Sequence, residues 1–332
     1  MALLLASRVY CRFRRFGRVS IEGLRTILGT ENVQVVRMVV NKSVSALLDL
    51  REWRDHRLSA GGPTVNYNIC HAGFNERGTK VKSIERKQMS SEPITYLVKL
   101  KDRFSVAERT TAFQFEKPTN FIFRPGQWID ITLLNPAETD AEGNVRGFSI
   151  ASAPYEHTLM VATRMRDTAF KRELAKVPLN TEVKIVGPGG NLTLHNNPAR
   201  TAVFLAGGIG VTPIRSILFH AAKQRLPHQI VFFFSNRRPE DAPFLADLQA
   251  LQKENPNYRF IPTMTEMAKS HYQWHGETGF INKELLAKYL RAAKSPIYYI
   301  VGPPKMVSGL HSMLNESGVD DDDIRTEDFS GY

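Results

Sequence analysis

Residues Leu205–Leu218, LAGGIGVTPIRSIL, join an apolar run to a helical pattern through three glycines, a threonine and a proline. The run before the turn, AVFLAG at 202–207, is too short and too rich in β-branched and aromatic residues for a comfortable helix. After it, Ile214, Ile217, Leu218, Ala221 and Ala222 recur at the spacing of a half-buried helix. Gly207, Gly208 and Gly210 therefore sit at a strand-to-helix turn, where glycine takes positive φ and lets a ligand or backbone approach closely. Helix-start N–H groups point outward there with partial positive charge, so a phosphate fits. The spacing predicts Thr212 as the helix cap and Pro213 in the first helical position. The pattern is G-x-G-x-x-P, not the G-x-G-x-x-G of ordinary dinucleotide folds, and a tight turn without a ligand would use the same glycines.

Downstream, apolar runs alternate with helical patterns: IVFFFS, FLADLQALQ, RFIPTMT, NKELLAKYL, IYYIVG, MVSGLHSMLNESG and DIRTEDF. That order predicts an open parallel sheet covered by helices. Upstream, Lys80 to Leu194 reads as short alternating strands, namely KVKSIER, ITYLVKL, TTAFQFE, QWIDITLL, GFSIAS, TLMVATR and EVKIVG. They predict an antiparallel β-barrel, interrupted by one helix, TAFKRELAKV, that Thr168 would cap. The polar, proline-containing HNNPAR separates the blocks, so the expected domains are a barrel over 79–196 and an α/β domain over 197–332.

The first 35 residues have a different composition. Arg8, Arg12, Arg14, Arg15 and Arg18 precede the first acid, Glu22, with leucine, valine and phenylalanine interleaved. This is the composition of a mitochondrial transit peptide, and the expected location is the matrix. Residues 36–78 read as a linker, partly helical around Ser45 to Arg54, with SAGGPTVNYN breaking any longer periodicity.

The chain has 332 residues, 42% of them hydrophobic, enough for two domains with a core in each. The net charge of +11 is spread out, with one cluster at the N-terminus, which argues against a nucleic-acid binder. No stretch approaches the roughly 20 apolar residues of a membrane span. With only Cys11 and Cys70, the chain holds neither a disulfide framework nor a four-thiolate iron–sulfur cluster, so redox chemistry needs an organic cofactor. His157, His195 and His220 lack the spacing of metal ligands, and no metal is expected.

Three further motifs lie in a fixed order around the glycine turn: RGFS at Arg146–Ser149, VGPGGNLTL at Val186–Leu194 and VGPPKM at Val301–Met306. Together with the turn they resemble the ferredoxin–NADP reductase family of flavoproteins over about the last 250 residues. The resemblance implies FAD held at Arg146, Phe148 and Ser149: arginine on the diphosphate, the aromatic on the flavin, serine near its N5. A strand projects alternate residues to one face, so Arg146 and Phe148 share a side, and a guanidinium matches a diphosphate with paired bonds. Phe148 stands where the family usually has tyrosine. At TRMRDTAFKREL the family's glycines are absent and Arg164 and Arg166 are present, while Thr168 and a helix start remain.

The resemblance places the pyridine nucleotide's diphosphate on Gly207, Gly208, Ile209, Gly210, Val211, Thr212 and Pro213, and its nicotinamide near Val301, Gly302 and Pro303. No acid ends the strand IVFFFS; Ser235 and Arg237 suit a 2′-phosphate, so NADP is possible beside NAD, with Asp241 nearby arguing for NADH. The resemblance also implies that Glu327 relays protons near the flavin and that Phe329 or Tyr332 covers its ring. The expected activity is hydride transfer from NAD(P)H to FAD, then electron delivery to an acceptor, protein or small molecule, with no signature in the chain. The alternative is a nucleotide-binding assembly or sensor module that kept the fold and lost turnover.

Overall fold

The computed structural model describes residues 94–329 in full, together with the backbone of two short strands, β1 (Arg37–Asn41) and β2 (Ser45–Asp49). The chain divides into two compact units, 1–87 and 88–332. In the first, β1 and β2 pair antiparallel, Arg37 opposite Asp49. Over Ser45–Asp49 this corrects the expected helix, whose remainder to Arg54 lies outside the described residues. SALLD alone is compatible with either state, and pairing with the β-branched Val39 and Val40 selects the strand. The transit-peptide-like segment, the rest of the linker, the KVKSIER strand and Tyr332 lie outside the described residues.

The second unit has two lobes. The first holds six antiparallel strands: β3 (Thr95–Ala107), β4 (Thr110–Glu116), β5 (Trp128–Leu133), β6 (Val145–Ser149), β7 (Thr158–Arg164) and β8 (Glu182–Gly189). They are ordered β6-β5-β8-β3-β4-β7. Two register shifts bend β3, so one long strand pairs with β8 through its first half and with β4 along the rest. The edge strands β6 and β7 return into contact, closing a barrel-like lobe over a core that includes Phe113, Phe115, Ile129, Ile131 and Ile185. Helix α1 (Ala169–Lys176) seals it with Phe170 and Leu174 and is capped by the Thr168 hydroxyl, which accepts from the Lys171 N–H at 3.4 Å.

The second lobe is a six-stranded parallel sheet. Its strands are β9 (Ala202–Gly207), β10 (Ile230–Asn236), β11 (Tyr258–Met264), β12 (Glu277–Thr278), β13 (Ile297–Gly302) and β14 (Ile324–Asp328), ordered β12-β11-β10-β9-β13-β14. Helices α2 (Val211–Lys223), α3 (Leu245–Glu254), α4 (Lys283–Tyr289) and α5 (Pro304–Asn315) connect and cover them. All six residues of β9 are buried, as are all six of β13, because helices cover both faces of these central strands.

The lobes share a core. Ala112, Ala151, Met160 and Ala162 of the barrel pack in one buried cluster with Ile214, Ile217 and Leu218 of α2 and Phe204 of β9. Polar bonds cross the same seam: buried Arg215 donates to the Ala151 carbonyl at 2.8 Å and pairs with Glu156 at 3.0 Å, and the Ser216 hydroxyl donates to the Ser152 carbonyl.

Candidate flavin and nucleotide site

The glycine turn lies at the carboxyl end of the central strand. After β9 the chain makes one 3₁₀ turn, Gly208–Gly210, with Gly208 at φ +52, and passes directly into α2. The expected cap is displaced by this continuity. Helix α2 opens at Val211 with Gly210 before it, and Thr212 and Pro213 occupy its first turn. The Thr212 hydroxyl donates to the Ile209 carbonyl at 3.0 Å and caps nothing. Gly210 answers to packing: a Cβ there would lie 2.4 Å from the Val301 carbonyl oxygen.

On the barrel side, the alternation of β6 aims Arg146 and Phe148 to one face, where both meet Phe170 of α1. The Phe148 ring lies 5.9 Å from it and the Arg146 guanidinium 5.2 Å. Ser149 turns inward, 6% exposed, and its hydroxyl donates to Glu327 Oε1 at 3.0 Å. The two residues with expected chemical roles, 178 positions apart, thus meet across the lobes. Burial raises the Glu327 carboxyl above its ordinary range, the Ser149 bond works against that rise, and the neighbouring Asp328 adds to it.

Arg146, Phe148 and Ser149 face one cavity of about 470 Å³, lined also from the barrel by Glu142, Arg164, Thr168 and Lys171 and from the α/β lobe by Ile209, Thr212, Asp328 and Phe329. The size is that of a cofactor cleft. Phe329 is tied down by its N–H, which donates to the Gly302 carbonyl at 3.0 Å, so this end of the chain is docked against the site.

Register brings the VGPPKM motif beside the glycine turn, but Val301 is fully buried and only Pro303 of the three expected nicotinamide residues reaches a cavity wall. Val301 pairs with Ala206 on one side and with Glu327 on the other. Gly302 sits so close to Gly207 that a Cβ on it would lie 3.2 Å from the Gly207 nitrogen. Ser235 pairs with Gly207 from the other flank. Arg237, just beyond, is exposed and lines a second cavity of about 550 Å³ with Arg109, Arg164, Arg166 and Pro303. Arg109 and Arg166 make no ion pair among the described residues. Burial lowers the Arg164 guanidinium, Asp241 opposes the shift, and Arg237, Arg109 and Arg166 add to it by repulsion.

Asp241, considered from sequence as a ribose partner, is occupied: it is buried, bonds Arg238 at 2.7 Å and 3.0 Å, and lies 3.7 Å from Arg164. His195 bonds the Tyr299 hydroxyl and the Arg200 carbonyl, and no metal-ligating cluster occurs among the described residues. No helix among them is long and apolar enough to cross a membrane. Sequence reasoning missed Lys171, Asp328 and Arg109. Only Lys171 carried a signal, as a cation three residues after the Thr168 cap; the other two depend on how hairpin tips and strand ends converge.

Residues 204–312 match the family model described as an oxidoreductase NAD-binding domain. The chain is 28% identical over 232 residues to the F subunit of the Na(+)-translocating NADH-quinone reductase of Yersinia pseudotuberculosis, covering 65% of this chain and 56% of that protein. Its counterpart in Shewanella denitrificans is 28% identical over 221 residues, 62% and 54% of the two chains. The chain thus spans somewhat over half the length of these curated relatives.

Among solved structures, the flavohem-like FAD/NAD binding domain of nitric oxide dioxygenase from Vibrio cholerae superposes with a TM-score of 0.61 at 18% identity, over 70% of this chain and 98% of that one. A ferredoxin NADP+ reductase from Neisseria gonorrhoeae, with bound FAD and NADP, gives 0.58 at 22% identity over the same shares. A barrel-like lobe, a glycine turn on the central parallel strand and one cleft between them define the architecture: residues 204–312 match the oxidoreductase NAD-binding domain model, and the described chain has the two-lobe fold of a ferredoxin NADP+ reductase.

Proposed function

We propose that the protein is an NAD(P)H-dependent flavoprotein oxidoreductase that passes electrons to an acceptor, protein or small molecule, with no signature in the chain. One observation carries the reading: the RGFS strand and the glycine turn, from different lobes, line a single cavity, with Glu327 hydrogen-bonded to Ser149 at its wall. The residues present fit a flavin dinucleotide. Phe148 offers an aromatic wall, Lys171 and Arg164 offer cations, and Ile209, Thr212 and Phe329 close the far side. FAD bound here would accept a hydride from the nicotinamide and release electrons onward.

The chain's own contribution is positional. Phe148 and Phe329 exclude water, and Ser149 fixes the rotamer of Glu327. The raised Glu327 carboxyl keeps its proton to higher pH than a solvated glutamate does. The arginines of the second cavity favour a nucleotide carrying an extra phosphate, so NADPH is accepted beside NADH. The arginine-rich, acid-poor first 35 residues support import into the mitochondrial matrix, tested by fusing them to a fluorescent reporter.

Purified protein should be yellow, or become so on incubation with FAD, and bleach when NADH or NADPH is added without oxygen. Colourless protein that resists reconstitution supports the second reading, an assembly or sensor module without turnover. That reading is favoured by the ion pairs of Arg146 with Asp140 and Glu142, which offset its charge where it lines the cavity.

A further inference from the structure

The resemblance assigns the diphosphate of the flavin dinucleotide to Arg146, yet this guanidinium is already paired with two carboxylates of its own hairpin. Its Nε lies 3.0 Å from Glu142 Oε2, and Nη2 lies 2.7 Å from Asp140 Oδ1. Nη1 donates to the carbonyls of Glu142, Gly143 and Val145 at 3.0, 3.0 and 2.7 Å. One positive charge faces two carboxylates, and the Arg146 hydrogen bond holds the Asp140 carboxyl below its usual range. An approaching dianion would meet a neutralised and locally acidic group.

Lys171 is in the opposite condition. It lies in the first turn of α1, half-buried, and lines the same cavity. Its Nζ donates to the Arg164 carbonyl at 2.8 Å and has no carboxylate partner among the described residues. Two of the three ammonium donors are therefore available, and the charge has no counter-ion in a partly desolvated position. Arg164, another cation on this wall, faces Asp241 at 3.7 Å. The family's glycines, which would bring backbone N–H groups to a phosphate, are absent here, and Arg164 at the end of β7 and Arg166 just after it stand in the segment before α1.

We propose that Lys171, rather than Arg146, is the principal cation holding the diphosphate of the flavin dinucleotide, while Arg146 serves to pin the 140–146 turn. The assignment rests on the flavoprotein reading above. It explains how the chain dispenses with the glycine loop: charge on a side chain replaces donors on a backbone.

A second consequence is pH-dependent affinity. The groups facing Lys171 are Arg146 from β6, Arg164 from the end of β7, Arg166 from the loop before α1, Glu142 from the barrel turn and Asp328 from the end of β14. Burial, with repulsion from Arg166 and Arg146, lowers the ammonium to about 8. Above that pH the empty site has lost the proton that diphosphate binding requires, so FAD affinity falls by up to about tenfold per pH unit. An arginine at the position stays charged and removes this dependence.

The test measures FAD affinity of the full chain by quenching of flavin fluorescence, with circular dichroism verifying the fold. Lys171→Met should weaken FAD by about tenfold to a hundredfold, the worth of one charged hydrogen bond. Lys171→Gln provides a second neutral variant if the methionine form folds poorly, and Lys171→Arg should retain affinity and flatten its fall between pH 7 and 9.5. Arg146→Met should weaken FAD by less than about threefold. Wild-type affinity in both neutral lysine variants, or a larger loss in Arg146→Met, overturns the assignment and leaves the flavoprotein reading standing. Wild-type protein that binds no FAD at any pH sinks that reading, and the assignment with it.

Discussion

At the scale of single residues, the site is held by contacts that tolerate little change. Gly210 packs against the backbone of β13, with the Val301 carbonyl carbon only 2.7 Å from where a Cβ would sit. Gly210→Ala must therefore push two backbones apart, and a loss of about 2–3 kcal/mol is expected in urea melts. A glycine needed only for a ligand's approach would leave stability unchanged and reduce nucleotide binding alone. Glu327 offers a pH test. Its folded carboxyl titrates above the unfolded value, so its contribution is fully present below the unfolded range and is lost as pH rises through the folded one. Glu327→Gln removes the buried charge, so its melting temperature relative to wild type should rise between pH 4 and pH 7. A difference independent of pH would show that Glu327 does not titrate in this way.

At the scale of elements, α2 has two faces to satisfy, the sheet beneath it and the barrel beside it. Val211 through Leu218 are all buried, including Arg215 and Ser216, which carry the polar links across the seam. The helical spacing gave half-burial and left Val211, Thr212, Pro213, Arg215 and Ser216 out of the buried set. The barrel face appears once the small side chains Ala151 and Ala162 let the helix approach. Arg215→Ala strips Glu156 of its guanidinium partner and leaves a hole between Phe219 and Phe244, whose rings lie 4.2 and 5.2 Å from it. A loss of about 3–5 kcal/mol is expected in urea melts, because a partly buried carboxylate is left uncompensated. A loss under about 1 kcal/mol would mean that the seam is held by apolar contact alone.

At the scale of the molecule, a core continuous across both lobes should make residues 88–332 unfold as one unit. Trp128 reports on the barrel and Trp274 on the α/β lobe. With each replaced by phenylalanine in turn, in a Trp53→Phe background, their fluorescence transitions in urea should coincide; separated midpoints would refute a single cooperative unit. The second cavity also draws on both lobes, Arg109, Arg164 and Arg166 from one and Arg237 from the other. Arg237→Ala should weaken NADPH by about tenfold and NADH by less than twofold, since one charged hydrogen bond to a phosphate is lost. Equal losses for both nucleotides would place Arg237 on a phosphate they share.

The sequence by itself determined the two kinds of lobe and the strand ends that carry the motifs. Periodicity of two against runs such as AVFLAG reports how many faces of a strand are covered, and the glycines mark where the backbone turns closely. The family resemblance of its motifs added Arg146, Phe148 and Ser149, which do line the cleft. Only the tertiary structure decided their state. Which partner each charge finds depends on loops folding back over distances that local spacing does not encode, so Arg146 is engaged, Asp241 is consumed by Arg238, and Lys171 is left without a carboxylate. Strand pairing likewise chose β2 over a helix, and the continuous 3₁₀ turn moved Thr212 from cap to first turn. Local propensities for competing states differ by less than the energy of the contacts that arbitrate between them.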